Sequence, residues 1–267
     1  MLRRVPARAR EQDKEAPVPI TNSQTGTRID EIAENIFRIS VPVPPEAIPV
    51  PGGFTFNQFL IVDDEPLLFH TGPRGMFPLV REAVAHVLAP EKLRWLAFSH
   101  FEADECGAAN AWLAAAPGAQ LLCSRVAAMV QGDSFDRPCV PLADGEERSL
   151  GRRTLRWFDA PHVPHGWDCG FLGETSTRTL FCGDLFTQAG ASVVPLTEGD
   201  IFGPSEAMRQ AMDYFAGGPN TASSLALLAG FEPRTLACMH GSSFAGNGGE
   251  LLSELARTLQ AGRTGAA

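Results

Sequence analysis

Apolar and polar positions change period several times along the chain, and each change predicts an element. "FTFNQFLIVDDEPLLFHTG" (54–72) holds two short β-rich runs joined by Asp63-Asp64-Glu65-Pro66, a hairpin signature. "MFPLVREAVAHVLAP" follows, with Leu79, Val80, Ala83, Val84, Val87 and Leu88 near helical spacing and a stop at Pro90. "LRWLAFS" reads as a buried strand, "CGAANAWLAAAP" as a helix ended by Pro117, "QLLCS" as a strand and "RVAAMVQ" as a short helix. From about Arg148 the period returns to two. "RTLRWFDAP" is a strand, and "CGFLGETSTRTLFCGD" is a hairpin turning at Thr175-Ser176. "PSEAMRQAMDYFAG", "NTASSLALLAGF" and "GGELLSELARTLQ" have helical spacing, and "RTLACMHGSS" runs from a strand into a loop. Strands and helices alternate in both halves, which implies a layered α/β fold.

Composition adds limits. The chain has 267 residues, 44% of them apolar and 20% charged, as in a folded globular protein. A net charge of -9 argues against a general nucleic-acid or anionic-membrane binder. No apolar run approaches the roughly 20 residues needed to span a bilayer. Residues 1–28 are charged and proline-containing, without the apolar centre of a secretory signal, and are expected to be a mobile tail before a single domain over 29–267. The six cysteines contain no Cys-x-x-Cys pair and read as reduced, mostly buried thiols of a cytoplasmic protein.

The chemistry concentrates at strand ends. "SHFEADECG" puts His100, Glu102, Asp104 and Glu105 together directly after a predicted strand. In an extended loop, residues i, i+2 and i+4 project to one side, so His100, Glu102 and Asp104 are expected to face one cavity. His162 and His165 follow the strand that ends at Ala160, Asp184 closes "LFCGD", and His240 follows "TLACM". If Cys169–Gly173 pairs with Arg178–Cys182, Asp184 returns to the level of about Trp167, near the two mid-chain histidines. Crowded carboxylates repel one another, and cations remove the repulsion. His100, Glu102, Asp104, His165 or His162, Asp184 and His240 make six ligand groups, enough for two metals with one bridging carboxylate. Imidazole suits zinc, copper, iron and nickel, and three carboxylates shift the preference toward iron over zinc.

With these motifs in order, the chain resembles the metallo-β-lactamase superfamily, and within it the diiron branch. That superfamily's usual H-x-H-x-D-H appears here as H-F-E-A-D-E, and H-x-E-x-D resembles flavodiiron and stand-alone oxygen-binding diiron proteins. "FNQFLIVDDEPLLFHTG", "APHVPHGWDCG", "LFCGDLF" and "MHGSS" resemble the family's later elements, so the resemblance spans about residues 30 to 267. It implies a four-layered αββα sandwich. It also implies one iron on His100, Glu102 and a mid-chain histidine, a second on Asp104 and His240, and Asp184 as the bridge.

Three positions depart from the family pattern. Glu105 stands where flavodiiron proteins usually have histidine, leaving it as a metal ligand or a supporting group. His70 replaces the aspartate of the usual "DTG" and reads as structural or supporting. His162-Val163-Pro164 satisfies the family's H-x-P, whereas the spacing to Asp184 favours His165 as the ligand, with His162 kept as a supporting group. The implied activity is binding or reduction of dioxygen or nitric oxide by two irons. Its electrons would come from a separate donor protein, because no flavodoxin portion follows His240, and head-to-tail pairing of two chains is a further expectation. The alternative is a two-zinc hydrolase of lactones, thioesters or phosphoesters.

Overall fold

The computed structural model describes residues 20–264. Its first sheet has eight strands in chain order. They are β1 (Ile20–Asn22), β2 (Thr27–Ala33), β3 (Ile36–Val43), β4 (Phe54–Ile61), β5 (Leu67–Phe69), β6 (Trp95–Ala97), β7 (Gln120–Ser124) and β8 (Cys139–Leu142). Pairing is antiparallel up to β5 and parallel from β5 to β8. Helices α1 (Phe77–Ala85), α2 (Ala103–Cys106), α3 (Ala109–Ala115) and α4 (Arg125–Gln131) occupy the crossovers. The second sheet runs β13-β15-β14-β12-β11-β10-β9. Its strands are β9 (Glu147–Ser149), β10 (Thr154–Asp159), β11 (Gly170–Glu174), β12 (Thr179–Phe181), β13 (Leu196–Thr197), β14 (Thr235–Ala237) and β15 (Ser243–Ala245). Helices α5 (Phe202–Met212), α6 (Thr221–Gly230) and α7 (Gly248–Thr264) complete this half.

The two sheets pack face to face because alternate residues of each are apolar. Phe59, Phe69, Trp157, Leu172 and Phe181 are buried between them, and the Phe181 ring lies 5.5 Å from Phe59 and 5.4 Å from Phe69. Burying each such side chain contributes roughly 1.5–3 kcal/mol. The opposite faces are covered by helices: Val80, Val84 and Trp112 on the first sheet, and Leu225, Leu228, Leu252 and Leu255 on the second. This is the four-layered αββα arrangement that the resemblance implied.

Several local expectations need correcting. Residues 20–28 of the expected tail include β1 and the start of β2, because β1 pairs with β2 and Thr27 is buried beneath that pairing; residues 1–19 lie outside the described residues. Helix α1 stops at Ala85, short of Pro90, as the next amides bond to Ala83 and Val84 in tightened turns. The helix expected to follow residue 105 is two, α2 and α3, broken at Gly107-Ala108. The β11–β12 hairpin pairs Leu172 with Phe181 and Glu174 with Thr179, leaving Thr175–Arg178 in the turn. That register is shifted by two from the expected one and sets Asp184 level with Cys169.

What the topology does for the site is simple. His100, Asp184 and His240 each stand three residues past the end of β6, β12 and β14. Strands β12 and β14 are parallel neighbours, so Asp184 and His240 leave the sheet at one end. The site therefore sits at the carboxyl ends of the strands, where α/β folds gather ligands.

Candidate metal centre

Six side chains meet at that edge. Asp184 lies between two groups of them. Its Oδ2 is 3.6 Å from His100 Nε2 and 3.3 Å from His165 Nε2, while its Oδ1 is 3.3 Å from His240 Nε2. Glu102 reaches His165 Nε2 at 3.2 Å and His100 Nε2 at 3.6 Å, and Asp104 lies 3.3 Å from His240 Nε2. His100, Glu102, His165 and Asp184 each offer one ligand atom, all within 4.8 Å of one another. The extended-loop expectation holds only to Glu102. Asp104 lies in the first turn of α2, for which Glu102 is the N-cap residue, and reaches the cluster from there.

The far side of each ring fixes its near side. His165 Nδ1 is 2.9 Å from the Tyr214 carbonyl, and His240 Nδ1 is 2.8 Å from the Thr55 carbonyl. A carbonyl only accepts, so both Nδ1 atoms carry a proton, and both Nε2 atoms turn to the cluster, where a neutral ring presents a lone pair. Strand β4 clamps the His240 loop. The Asn57 side chain donates to the carbonyls of Cys238 and Gly241, the Asn57 amide donates to Met239, and Thr55 Oγ1 accepts from the Gly241 amide. Phe54 stacks on the His240 ring at 4.2 Å, and Phe56 meets it edge-on at 5.3 Å.

Lone pairs facing carboxylate oxygens call for positive charge. Burial opposes charge on His240, yet Asp104 and Asp184 raise the ring to about 10. His165 is also raised, with Glu102 and Asp184 outweighing burial and the neighbouring His100. His100 and His165 together lower Glu102 to about 2. His100 Nε2, His165 Nε2 and Asp184 Oδ1 are buried and have no hydrogen-bond partner among the described residues. Such orphaned, converging donor atoms, from three imidazoles and three carboxylates, fit two cations sharing Asp184.

The remaining expected site residues lie outside this cluster. Glu105 is fully buried and turned away from it. It accepts from the Ser99 amide, the Ser99 hydroxyl and the His100 amide, and one oxygen lies 3.5 Å from His70 Nε2. Burial alone would raise its carboxyl, but the His100 and His70 rings and these hydrogen bonds hold it below the usual carboxylate range. His70 is equally buried, and burial pushes its ring down toward the neutral form. His162 is exposed at a positive φ of 65°, and its amide bonds Gly166, closing the turn that presents His165.

A cleft of about 270 Å³ leads to the cluster between Phe54, Phe56, Thr187, Met212 and Tyr214. Tyr214, the single tyrosine of the chain, donates its hydroxyl to the Asp184 carbonyl at 3.2 Å. Sequence reading placed it inside a helix. That helix ends at Met212, where Asp213 turns left-handed at φ 50°, and the only sequence cue was the glycine pair at 217–218. A larger groove of about 650 Å³ beside α6 and α7 has Asp213 as its one carboxylate and no histidine among its described lining.

The model of the "ODP family beta lactamase" family matches residues 54–218. The chain belongs to this family. Among curated relatives of this ODP-family chain, the rubredoxin-oxygen oxidoreductase of Megalodesulfovibrio gigas is 27% identical over 209 residues, covering 73% of this chain and 50% of that protein. The nitric oxide reductase of Moorella thermoacetica is 31% identical over 148 residues, covering 53% of this chain and 36% of that protein. The chain thus spans half or less of the length of these relatives. In fold, it is similar to a fragment (residues 1–254) of the putative diflavin flavoprotein A 5 of Nostoc, with a TM-score of 0.76 at 16% identity, covering 89% of this chain and 98% of that one. The rubredoxin oxygen:oxidoreductase structure from Desulfovibrio gigas has a TM-score of 0.72 at 22% identity, covering 86% of this chain and 62% of that one.

Proposed function

We propose that this ODP-family chain holds two irons and uses them to bind and reduce dioxygen or nitric oxide, with electrons from a separate donor protein. The observation that carries this reading is Asp184, whose two oxygens face two different sets of ligands. In the reading, His100, Glu102 and His165 hold one iron, Asp104 and His240 hold the other, and Asp184 bridges them. Carboxylate-rich ligation favours iron over zinc, and two relatives are named for oxygen and nitric oxide chemistry. When bound, such a pair supplies electrons to a small diatomic molecule held beside it.

The chain's own residues do the rest. Thr55 and Tyr214 hold two imidazoles by their outer nitrogens, so little reorganisation is needed when oxidation state changes. Phe54, Phe56 and Met212 give the cleft apolar walls suited to a small uncharged gas. No helix among the described residues is long and apolar enough to cross a membrane. A cytoplasmic setting and pairing of two chains belong to the same proposal.

The test is metal analysis of protein purified without oxygen, followed by gas uptake under a chemical reductant. Two irons per chain and catalytic loss of oxygen or nitric oxide are expected. Two zincs, no gas uptake and hydrolysis of a lactone or thioester would overturn the reading.

A further inference from the structure

We propose that Glu105 is a positioning residue for the metal centre, a buried carboxylate that sets the affinity and reduction potential at the His100 side. The inference rests on the metal reading above. Its ground is the third imidazole, whose outer edge differs from the other two. His165 and His240 each point Nδ1 at a neutral backbone carbonyl, whereas His100 Nδ1 points at Ser99 Oγ, 3.1 Å away, and at Glu105 Oε1, 3.3 Å away.

The Ser99 hydroxyl lies 2.6 and 2.7 Å from the two Glu105 oxygens, so its one proton is committed to the carboxylate. It is left to accept from His100 Nδ1–H, which leaves Nε2 bare and aimed at the cluster. A carboxylate behind a ligating imidazole makes the ring a stronger donor than a carbonyl does. The metal held by His100 therefore faces a more electron-rich ligand than the one held by His240.

The surroundings keep the carboxylate in place. The Ser99 and His100 amides donate to Glu105 Oε2 at 3.0 and 2.8 Å, and the His70 ring closes its other side at 3.5 Å. Gly183, at φ +47°, passes so close that a Cβ there would stand 2.6 Å from Ser99 Oγ. Glu105 and His70, the two residues by which the sequence departs from the diiron pattern at these positions, are thus one contact. Glu105 also lies apart from the cleft, with no exposed surface, so a substrate does not reach it.

The experiment uses the full chain stripped of metal and titrated with Co²⁺, following the visible cobalt bands, and then the iron-loaded protein in a redox titration. Glu105→Gln is expected to weaken cobalt binding at the His100 position by about 10–100-fold and to move the midpoint potential upward. Ser99→Ala, which removes the hydroxyl bridge and leaves only the direct 3.3 Å approach of Glu105 Oε1 to Nδ1, is expected to shift both in the same direction by less. If Glu105→Gln fails to fold, as judged by thermal melting without metal, Ser99→Ala carries the test. Folded variants with wild-type cobalt affinity and an unmoved potential would overturn the proposal while leaving the two-metal reading intact. Wild-type protein that takes up no cobalt would overturn both.

Discussion

The two halves of the centre are built differently, although one carboxylate serves both. On the His100 side, His100, Glu102, His165 and Asp184 crowd their ligand atoms within 4.8 Å, and an anion backs one of the imidazoles. On the His240 side, Asp104, His240 and Asp184 are the charged or imidazole side chains that meet among the described residues. Its support comes from one strand of the other sheet, through a carbonyl, an amide side chain and two aromatic rings. The first half is rich in charge and nearly complete in ligands. The second is apolar behind and open in front, where the cleft walls Phe54 and Phe56 also pack on His240. A site divided this way separates holding a metal from exposing one.

The largest expected effect tests whether the halves are joined. Asp184→Ala removes the carboxylate that both halves share, and metal binding is expected to fall at both positions by more than the roughly 10–100-fold typical of losing a supporting group. Metal analysis after equilibrium dialysis checks this, and loss at one position only would break the bridge assignment. A sharper comparison sets His240→Ala against His165→Ala. The first is expected to leave one tightly held metal per chain, and the second to weaken the crowded half while cobalt still enters the other. His162→Ala serves as the control, with affinity unchanged in the same titration.

The smallest expected effect lies far from the centre. Glu174 is buried in the β11–β12 turn, where its carboxylate accepts from the amides and hydroxyls of Ser176 and Thr177. Burial opposes its charge, but these bonds win and lower its pKa. The stabilisation is therefore full above the ordinary glutamate value and is lost as pH falls through the lower folded one. Glu174→Gln is expected to cost about 1–3 kcal/mol at neutral pH, with the gap to wild type closing in acid. Urea denaturation across pH measures it. Metal affinity should stay unchanged, which separates a loss of stability from a loss of site.

The residues that converge at the centre were legible in the sequence because strand ends are easy to see and His, Glu and Asp are scarce in apolar runs. Their order along the chain also carried the sandwich. The geometry around them was less legible. The hairpin register slipped by two because the four-residue turn begins one position later, where Glu174 at the strand end accepts from Ser176 and Thr177, a side-chain effect that period-two reading does not register. The α2 turn at Asp104 was hidden by alternation that suited a loop equally well. Strands β1–β3 include the end of the charged, proline-containing N-terminal stretch, and their pairing runs strand to neighbouring strand as far as β4. The supports were least visible. Thr55, Asn57 and Tyr214 act largely through backbone atoms or at long range, and the chemistry of a residue's name says nothing of its carbonyl.

The clamp on His240 has a consequence for biosynthesis. Thr55 and His240 are separated by 185 positions, so a growing chain presents His100, Glu102 and Asp104 long before the strand β4 clamp has anything to grip. Closing so long a loop is entropically costly and comes late in folding. The His240 side of the cluster therefore comes into being only when both sheets have met, and under the two-metal proposal metal stoichiometry would report whether a newly made chain has finished folding.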